Sequence, residues 1–151
     1  MSRIGYTTGV FDMFHVGHLN ILRNARSRCD HLIVGVTTDA LCQSRKRRVP
    51  VIPEGERLQI LEAVRYVDEV VLQDSYDKLA AWDEHHFDVM FVGDDWRGTP
   101  EWDQYERQFA DVGVEVVYFP YTVHTSSTLL RSALNDRVAA AATTQISQVG
   151  A

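Results

Sequence analysis

The stretch that decides the fold reads Gly9-Val10-Phe11-Asp12-Met13-Phe14-His15-Val16-Gly17-His18, and it joins a predicted strand to a predicted helix. The apolar run at residues 4–10 leads into it, and Leu19, Leu22 and Ala25 follow it at helical spacing. The first N–H groups of a helix have no partner within the helix, and the helix dipole is positive at that end. The junction is therefore predicted to favour an anion.

The two histidines of this stretch give the junction its chemistry. His15 and His18 are three residues apart, so they share a helical face and can both donate hydrogen bonds to a phosphate. Gly17 between them lets the backbone approach a ligand closely. The pair could also be a fragment of a metal site, but a third ligand is then needed, and Asp12 is the only nearby candidate. The pattern favours phosphate binding.

Strands and helices are predicted to alternate along the rest of the chain. The apolar runs are continuous in Val, Ile, Leu and Phe, as in strands covered on both faces of a parallel sheet. Segments with helical periodicity separate them, which predicts a Rossmann-like, doubly wound α/β fold with a five-stranded parallel sheet. Ligands of such sheets bind beyond the carboxyl ends of the strands. The five predicted strands are residues 4–10, 31–36, 69–72, 88–92 and 114–119.

Helix boundaries are marked most clearly before the fifth strand. Thr99-Pro100-Glu101 places a capping hydroxyl before Pro at the first helical position, and Gly113 stands where a helix-ending glycine is expected. After the third strand, Ser75 is the predicted N-cap of the next helix. Residues 37–53 form a long connection that contains the basic run Arg45-Lys46-Arg47-Arg48.

Length and charge limit the possible classes of protein. The 151 residues suffice for one domain, predicted at residues 1–137, and residues 138–151 are predicted to be a flexible tail. The net charge of −6 argues against a nucleic-acid coat, and no apolar run is long enough for a membrane span or a signal peptide. Cys29 and Cys42 form no disulfide framework. A cytoplasmic protein is expected.

Three segments carry a resemblance to a known family. Gly9-x-Phe11-Asp12-x-x-His15-x-Gly17-His18 resembles the signature of the cytidylyltransferase-like nucleotidyltransferases. Arg65-Tyr66-Val67-Asp68-Glu69-Val70 and Gly93-Asp94-Asp95-Trp96 resemble segments of bacterial glycerol-3-phosphate cytidylyltransferases. The resemblance implies transfer of CMP from CTP to a phosphoalcohol, first of all glycerol 3-phosphate, to give CDP-glycerol and pyrophosphate. It also implies Mg²⁺ bound with the triphosphate.

The same resemblance implies roles for individual residues. His15 and His18 are expected to hold the triphosphate, and the implied catalytic residues are His15, His18, Lys46 and Arg131. The implied nucleotide-binding residues are Gly9, Val10, Phe11, Gly17, Asp95, Trp96, Thr122, Ser126, Ser127 and Thr128. Arg57 and Arg48 are expected to bind the acceptor, but which residues of Arg45-Lys46-Arg47-Arg48 contact phosphate stays open, because this loop is one residue longer than in relatives. Arg65 and Asp68 fall where relatives form a homodimer interface, and no cage of side chains is expected around the metal.

The chain departs from the cytidylyltransferase pattern before its last helix. An arginine that contacts nucleotide phosphates in relatives is replaced by Tyr121. The following Thr125-Ser126-Ser127-Thr128-Leu129-Leu130-Arg131 resembles the Ile-Ser-Ser-Thr-x-Ile-Arg segment of adenylyltransferases, so Arg131 is expected to replace the missing charge. Transfer from ATP, a different phosphorylated alcohol or sugar, and a non-catalytic nucleotide-binding relative therefore remain alternatives. A flavin-binding or redox domain of the same fold class is a remote one.

Overall fold

The computed structural model describes residues 2–120 and 126–149, with side chains described as far as residue 142. Strands and helices alternate through most of this part of the chain. The strands are β1 (Ile4–Gly9), β2 (His31–Thr37), β3 (Glu69–Gln73), β4 (Val89–Gly93) and β5 (Glu115–Phe119). The helices are α1 (Val16–Arg26), α2 (Asp39–Lys46), α3 (Glu54–Glu62), α4 (Lys78–His85), α5 (Pro100–Asp111) and α6 (Ser127–Val149), with a short 3-10 helix at Asp94–Trp96.

The five strands form one parallel sheet in the order β3-β2-β1-β4-β5. Each predicted strand is present, and its bounds differ from the prediction by one residue at most at either end. The strand order reverses direction between β1 and β4, which creates a crevice beyond the carboxyl ends of these two strands. The predicted doubly wound α/β fold is confirmed.

Two apolar clusters, one on each face of the sheet, stabilise this arrangement. On one face, Leu22 and Ala25 of α1 and Leu61 of α3 are fully buried in a single cluster with residues of β2 and β4. On the other, Trp102 and Phe109 of α5 pack with residues of β1 and β4. Burial of apolar side chains on both faces explains why the strands read as continuous apolar runs.

The helix caps agree only in part with those predicted from the sequence. Thr99 accepts a hydrogen bond from the N–H of Trp102 at the start of α5, and Gly113 has the predicted positive φ of 78° after its end. At α4 the N-cap is Asp77, whose carboxylate accepts from two backbone N–H groups of the first turn. The prediction of Ser75 was therefore wrong. The Ser75 hydroxyl instead accepts from the N–H of Asp77, the residue directly before the helix, at 3.1 Å.

Two segments differ from the sequence prediction in local structure. The connection at residues 37–53 contains α2, which begins after Thr38 and ends where Arg47 adopts a left-handed conformation with φ 54°. Only Cys42 of this helix is buried, so no apolar periodicity revealed it. At the other end of the chain, α6 runs past residue 137 without a break, and the flexibility expected of residues 138–151 stays a prediction. None of the helices described is long and apolar enough to cross a membrane.

Candidate active site

The corner between β1 and α1 has an unusual backbone. Phe11 and Met13 adopt left-handed conformations, with φ of 53° and 49°, that side chains other than glycine seldom take. A Cβ added at Gly9 would stand 3.0 Å from the ring of Phe11, so this ring would have to shift by a few tenths of an ångström to accommodate it. Strained residues of this kind cluster at functional sites and persist only where their surroundings fix them.

Reciprocal hydrogen bonds fix the histidine pair at the start of α1. Nδ1 of His15 accepts from the N–H of Gly17 at 3.0 Å, and Nδ1 of His18 accepts from the N–H of His15 at 3.2 Å. The two rings are stacked, with centroids 4.0 Å apart and planes inclined at 28°. Since each Nδ1 is an acceptor, each neutral ring must carry its proton on Nε2. The corner therefore presents two N–H donors side by side.

Burial keeps both rings neutral near pH 7. It lowers the pKa of His18 to about 4, with a further lowering by His15 and a small opposing effect of Asp12. Burial also lowers the pKa of His15. An imidazole in this state donates one hydrogen bond from Nε2 and brings no charge. The positive charge that a phosphate requires must come from other side chains.

A cleft of about 460 Å³ opens beyond the carboxyl ends of β1 and β4, with His15 and His18 in its wall. The structure brings most of the predicted nucleotide-binding and catalytic residues together here, although they are up to about 120 positions apart in the sequence. Those that line the cleft are Gly9, Val10, Phe11, His15, Gly17, His18, Lys46, Arg48, Trp96, Ser126, Ser127, Thr128 and Arg131.

The cleft is positively charged within a chain whose net charge is −6. Its described lining carries two carboxylates, and each of them forms an ion pair with an arginine of the same cleft. Burial lowers the pKa of Lys46, and the neighbouring arginines lower it further. A ligand with several phosphates is the chemistry that fits such a concentration of cations. The cationic side chains of the lining are Arg45, Lys46, Arg48, Lys78 and Arg131.

Asp12 joins three parts of the site. Its carboxylate accepts from the N–H groups of Val51 and Ile52, both at 2.9 Å, and from Nη2 of Arg131 at 3.2 Å. Its carbonyl oxygen accepts from the hydroxyl of Ser127 at 2.6 Å. Burial alone would raise the pKa of Asp12, but these donors lower it below the usual value. The start of α6 and the segment after α2 are thus tied to the strained corner.

Arg131 retains donors for a ligand. Its Nε and Nη1 atoms are buried and have no hydrogen-bond partner within the described residues, whereas Nη2 contacts Asp12. Buried polar groups without partners are rare and costly in folded proteins. A guanidinium in the wall of a cleft with two such donors is suited to an anionic oxygen.

Lys78 is the functional candidate that sequence reasoning missed. It lies in the first turn of α4, is 9% exposed, and donates from Nζ to the hydroxyl of Thr8 at 3.0 Å inside the cleft. Burial lowers its pKa to about 8, with a further lowering by Arg45 and an opposing effect of Glu101. The ammonium is therefore still largely charged at pH 7. A single lysine at a helix start forms no motif, and only the sheet topology brings it to the cleft.

Arg57 does not occupy the place predicted for it. Its side chain is fully buried, and its guanidinium donates to the carbonyl oxygens of Ile52, Val10 and Thr37 and to the carboxylate of Asp39, at 2.6–2.8 Å. A guanidinium engaged in this way holds the ends of β1 and β2 to the connection around α2. It is not available to an acceptor phosphate, which corrects the expectation that Arg57 binds the acceptor.

Three other predicted residues also lie apart from the cleft or outside the described residues. Asp95 is not among the described residues of the lining, although its Oδ1 lies 2.8 Å from the position of a Cβ built on Gly93, which belongs to that lining. Asp68 accepts from the N–H of Leu32 at 2.7 Å and pairs with Arg26 at 2.9 Å within the same subunit. Thr122 lies outside the described residues.

The predicted role of Arg65 and Asp68 in a homodimer interface stays a prediction. The guanidinium of Arg65 lies 5.9 Å from the ring centroid of Tyr66, so its contact is with a neighbour in sequence. The two residues are not paired with each other, because the ion pair of Asp68 is with Arg26.

Comparisons with known proteins agree with this geometry. The family model described as cytidylyltransferase-like matches residues 6–141. The glycerol-3-phosphate cytidylyltransferase of Bacillus subtilis (strain 168) is 34% identical over 126 residues, which cover 83% of this chain and 92% of the relative. An FAD synthase of Archaeoglobus fulgidus is 36% identical over 110 residues, which cover 73% of this chain and 79% of the relative.

A solved structure shares the fold. The lipopolysaccharide core biosynthesis protein from Thermoplasma volcanium superposes with a TM-score of 0.68 at 23% identity, covering 83% of this chain and all of the other. The range matched by the family model, residues 6–141, includes the histidine corner, the described lining of the cleft and the start of α6. From the sheet topology, the cleft and these matches, we conclude that the chain belongs to the cytidylyltransferase-like family of nucleotidyltransferases.

Proposed function

We propose that the protein transfers CMP from CTP to a phosphoalcohol, and that glycerol 3-phosphate is its acceptor. An oxygen of the acceptor phosphate attacks the α-phosphorus of CTP, a new P–O bond forms, and the bond from the α-phosphorus to the β-phosphate oxygen breaks. The bonding electrons leave with pyrophosphate, and CDP-glycerol remains. No protein nucleophile takes part, so the protein contributes position and electrostatic stabilisation.

The observation that carries the proposal is the paired Nε2–H donors of His15 and His18 in a cationic cleft. Two adjacent donors can bind the non-bridging oxygens of one phosphate and stabilise the charge that builds up there in the transition state. The unpartnered Nε and Nη1 of Arg131 and the ammonium of Lys46 lie in the same cleft and would hold the leaving phosphates. Arg48 adds a further cation at the same wall.

Lys78 is the acceptor ligand that best replaces Arg57 in the proposal. Its ammonium bonds to Thr8, the residue directly before the Gly9 turn, so it lies on the same strand end as the reacting corner. A charged amine there can orient the acceptor phosphate toward the α-phosphorus. It belongs to α4, whereas the residues assigned to the nucleotide belong to the β1–α1 corner, the end of α2, the 3-10 helix and the start of α6.

Mg²⁺ is part of the proposal as a ligand of the triphosphate. Among the described residues, no group of three or more His, Cys, Asp or Glu side chains could hold a metal ion. The carboxylates of Asp12 and Glu101 are both engaged by arginines. We propose that the metal enters with the nucleotide and neutralises part of the charge of the triphosphate.

Adenylyl transfer is a second candidate because of the start of α6. Ser126 accepts from the N–H of Leu129, and Ser127, Thr128 and Arg131 line the cleft, in the segment that resembles adenylyltransferases. Hydroxyl groups and N–H groups at a helix start donate hydrogen bonds to phosphate, and these bonds do not distinguish one base from another. The choice between CTP and ATP must therefore be measured.

The test is pyrophosphate release over a grid of CTP, ATP, GTP and UTP against several phosphoalcohols, with Mg²⁺ present. We expect release with CTP and glycerol 3-phosphate, together with a product of the mass of CDP-glycerol. Pyrophosphate release with ATP but not with CTP would identify ATP as the nucleotide substrate. Calorimetric binding of CTP without release for any acceptor would make the protein a nucleotide-binding relative and contradict the proposal.

A further inference from the structure

The mouth of the cleft contains a cluster of aromatic rings around a carboxylate. Tyr76, Trp96 and Glu101 form this cluster, which we call the mouth box, and all three line the cleft. They come from different segments: the approach to α4, the 3-10 helix after β4 and the first turn of α5. A hydrogen bond connects the Tyr76 segment to α5, since the carbonyl oxygen of Tyr76 accepts from the hydroxyl of Tyr105.

Aromatic faces beside a carboxylate are the surroundings in which proteins bind organic cations. In this chain the cation is supplied internally. The guanidinium of Arg45 lies 4.7 Å from the ring centroid of Tyr76 and 5.8 Å from that of Trp96. Its Nη2 atom is 3.4 Å from Oε2 of Glu101. All three members of the mouth box therefore contact one side chain of α2.

The mouth box lies beside the amine proposed to bind the acceptor phosphate. Tyr76 stands two residues before Lys78, and both line the same cleft as Arg45 and Glu101. In agreement with this placement, Arg45 lowers and Glu101 raises the pKa of Lys78. An acceptor whose phosphate is held by Lys78 would extend its alcohol end along the same wall. The group at that end would meet the mouth box and the guanidinium inside it.

Arg45 also differs from its neighbours in the basic run. Lys46 and Arg48 line the cleft, and no described carboxylate forms an ion pair with either of them. The guanidinium of Arg45 is engaged on three sides by the mouth box. Within the basic run, Lys46 and Arg48 are thus assigned to phosphate, whereas Arg45 occupies the mouth box.

We propose that Arg45 determines acceptor specificity by occupying the mouth box, so that acceptors with an ammonium group are rejected and neutral polyol phosphates are accepted. The inference rests on the proposed nucleotidyl transfer. A tethered guanidinium competes with any free ammonium compound for Tyr76, Trp96 and Glu101, and it repels such a compound electrostatically. A hydroxyl group has no such conflict and can accept a hydrogen bond from the guanidinium.

The strength of the rejection is limited by exposure. The side chains of Arg45 and Glu101 are 43% and 44% exposed, and exposed ion pairs and cation–π contacts are weak. The ion pair and each cation–π contact alone are worth less than a tenfold factor, so we expect a bias of a few-fold, roughly tenfold at most. A substitution of Arg45 should shift this bias without unfolding the protein.

The experiment compares kcat/KM for phosphoethanolamine and for glycerol 3-phosphate, with CTP saturating, in the unmodified protein and in Arg45→Ala. We expect the ratio of phosphoethanolamine to glycerol 3-phosphate to rise roughly three- to tenfold in Arg45→Ala. The double variant Arg45→Ala/Glu101→Gln should lose most of that gain, because the box then lacks its carboxylate. An unchanged ratio, or an equal loss for both acceptors, would overturn the proposal and make Arg45 a general phosphate ligand.

Arg47→Asn is the matched control. It removes a cation from the same basic run, outside the described lining of the cleft, and asparagine tolerates the left-handed φ of 54° found there. We expect its acceptor ratio to equal that of the unmodified protein. A shift as large as that of Arg45→Ala would show that net charge, not the mouth box, sets the ratio, and would overturn the proposal.

Binding measurements separate this inference from the proposed function. If the unmodified protein transfers no nucleotide to any acceptor, the proposed function fails, and the mouth box can still be tested with choline as a probe. Titration calorimetry and Trp fluorescence should show choline binding to Arg45→Ala but not to the unmodified protein. Equal binding, or none to either, would overturn the inference by itself.

Discussion

The two walls of the cleft are built in different ways. On one wall, His15 and His18 are three residues apart and fix each other through backbone hydrogen bonds at the start of one helix. On the other wall, Arg45, Lys78 and Glu101 come from three helices and meet through long side chains, two of them half exposed. The first wall is set by local sequence and the second by tertiary packing. The reacting groups are thus placed more rigidly than the groups that would choose the acceptor.

The largest effect expected concerns Arg57, which belongs to neither wall. Arg57→Met should lower the free energy of unfolding by about 3–5 kcal/mol, because it leaves the partly exposed carboxylate of Asp39 and three carbonyl oxygens without the buried guanidinium that donates to them. Urea denaturation at pH 7.5 would measure it. A variant of normal stability whose only defect is a raised KM for the acceptor would return Arg57 to the acceptor site.

The next effect tests the rigid wall. His15→Asn and His18→Asn should each lower kcat by about 10²–10³-fold, the loss typical of one donor aimed at developing charge. The asparagine oxygen can still accept the backbone hydrogen bond that Nδ1 accepts, so the thermal unfolding midpoint should change little. Steady-state pyrophosphate release gives the rate. Near-normal turnover in both variants would remove the proposed role.

A smaller effect is expected at the second wall. Lys78→Met should raise KM for the acceptor about ten- to a hundredfold, as expected for one charge-assisted hydrogen bond, and should change KM for CTP by less than about threefold. Because the pKa of Lys78 is about 8, KM for the acceptor should also rise in the unmodified protein as the pH increases above 8. An equal rise in KM for CTP and for the acceptor would show that the two walls are not separate subsites.

The smallest effect is a pH dependence of stability from His18. Its pKa is about 4 in the folded protein and near 6.5 when unfolded, so the unfolded chain binds more protons between these values. Stability from this group is complete above pH 6.5 and is lost as the pH falls toward 4. We expect roughly 1–2 kcal/mol less stability at pH 5 than at pH 7.5, and a smaller loss in His18→Asn. Equal losses in both proteins would contradict the burial of a neutral ring.

The contrast between the walls also explains how far the sequence could be read. The β1–α1 corner and the five strands follow from short-range patterns, and all of them are present. Arg131 was predicted from the resemblance of residues 125–131 to a segment of adenylyltransferases, and it lines the cleft. Each of these signals lies within one turn or one strand, where spacing in sequence determines distance in space.

The remaining features depend on contacts between distant segments. A motif match placed Arg57 at the site, but a sequence does not tell whether a guanidinium faces a cleft or a set of buried carbonyl oxygens. Lys78 had no pattern around it, and α2 had only one buried residue to reveal a helix. Asp77, two residues after the predicted Ser75, caps α4, because the path of the chain decides which side chain reaches the first N–H groups of the helix.

The most direct test of the account is the protonation of the two imidazoles, observed by ¹⁵N NMR with and without CTP. Both rings of the free protein should be neutral at pH 7 with the proton on Nε2, and CTP with Mg²⁺ should shift both Nε2 resonances far more than Nδ1. Rings protonated on Nδ1, or Nε2 resonances that CTP leaves unchanged, would contradict the claim that this pair holds the reacting phosphate.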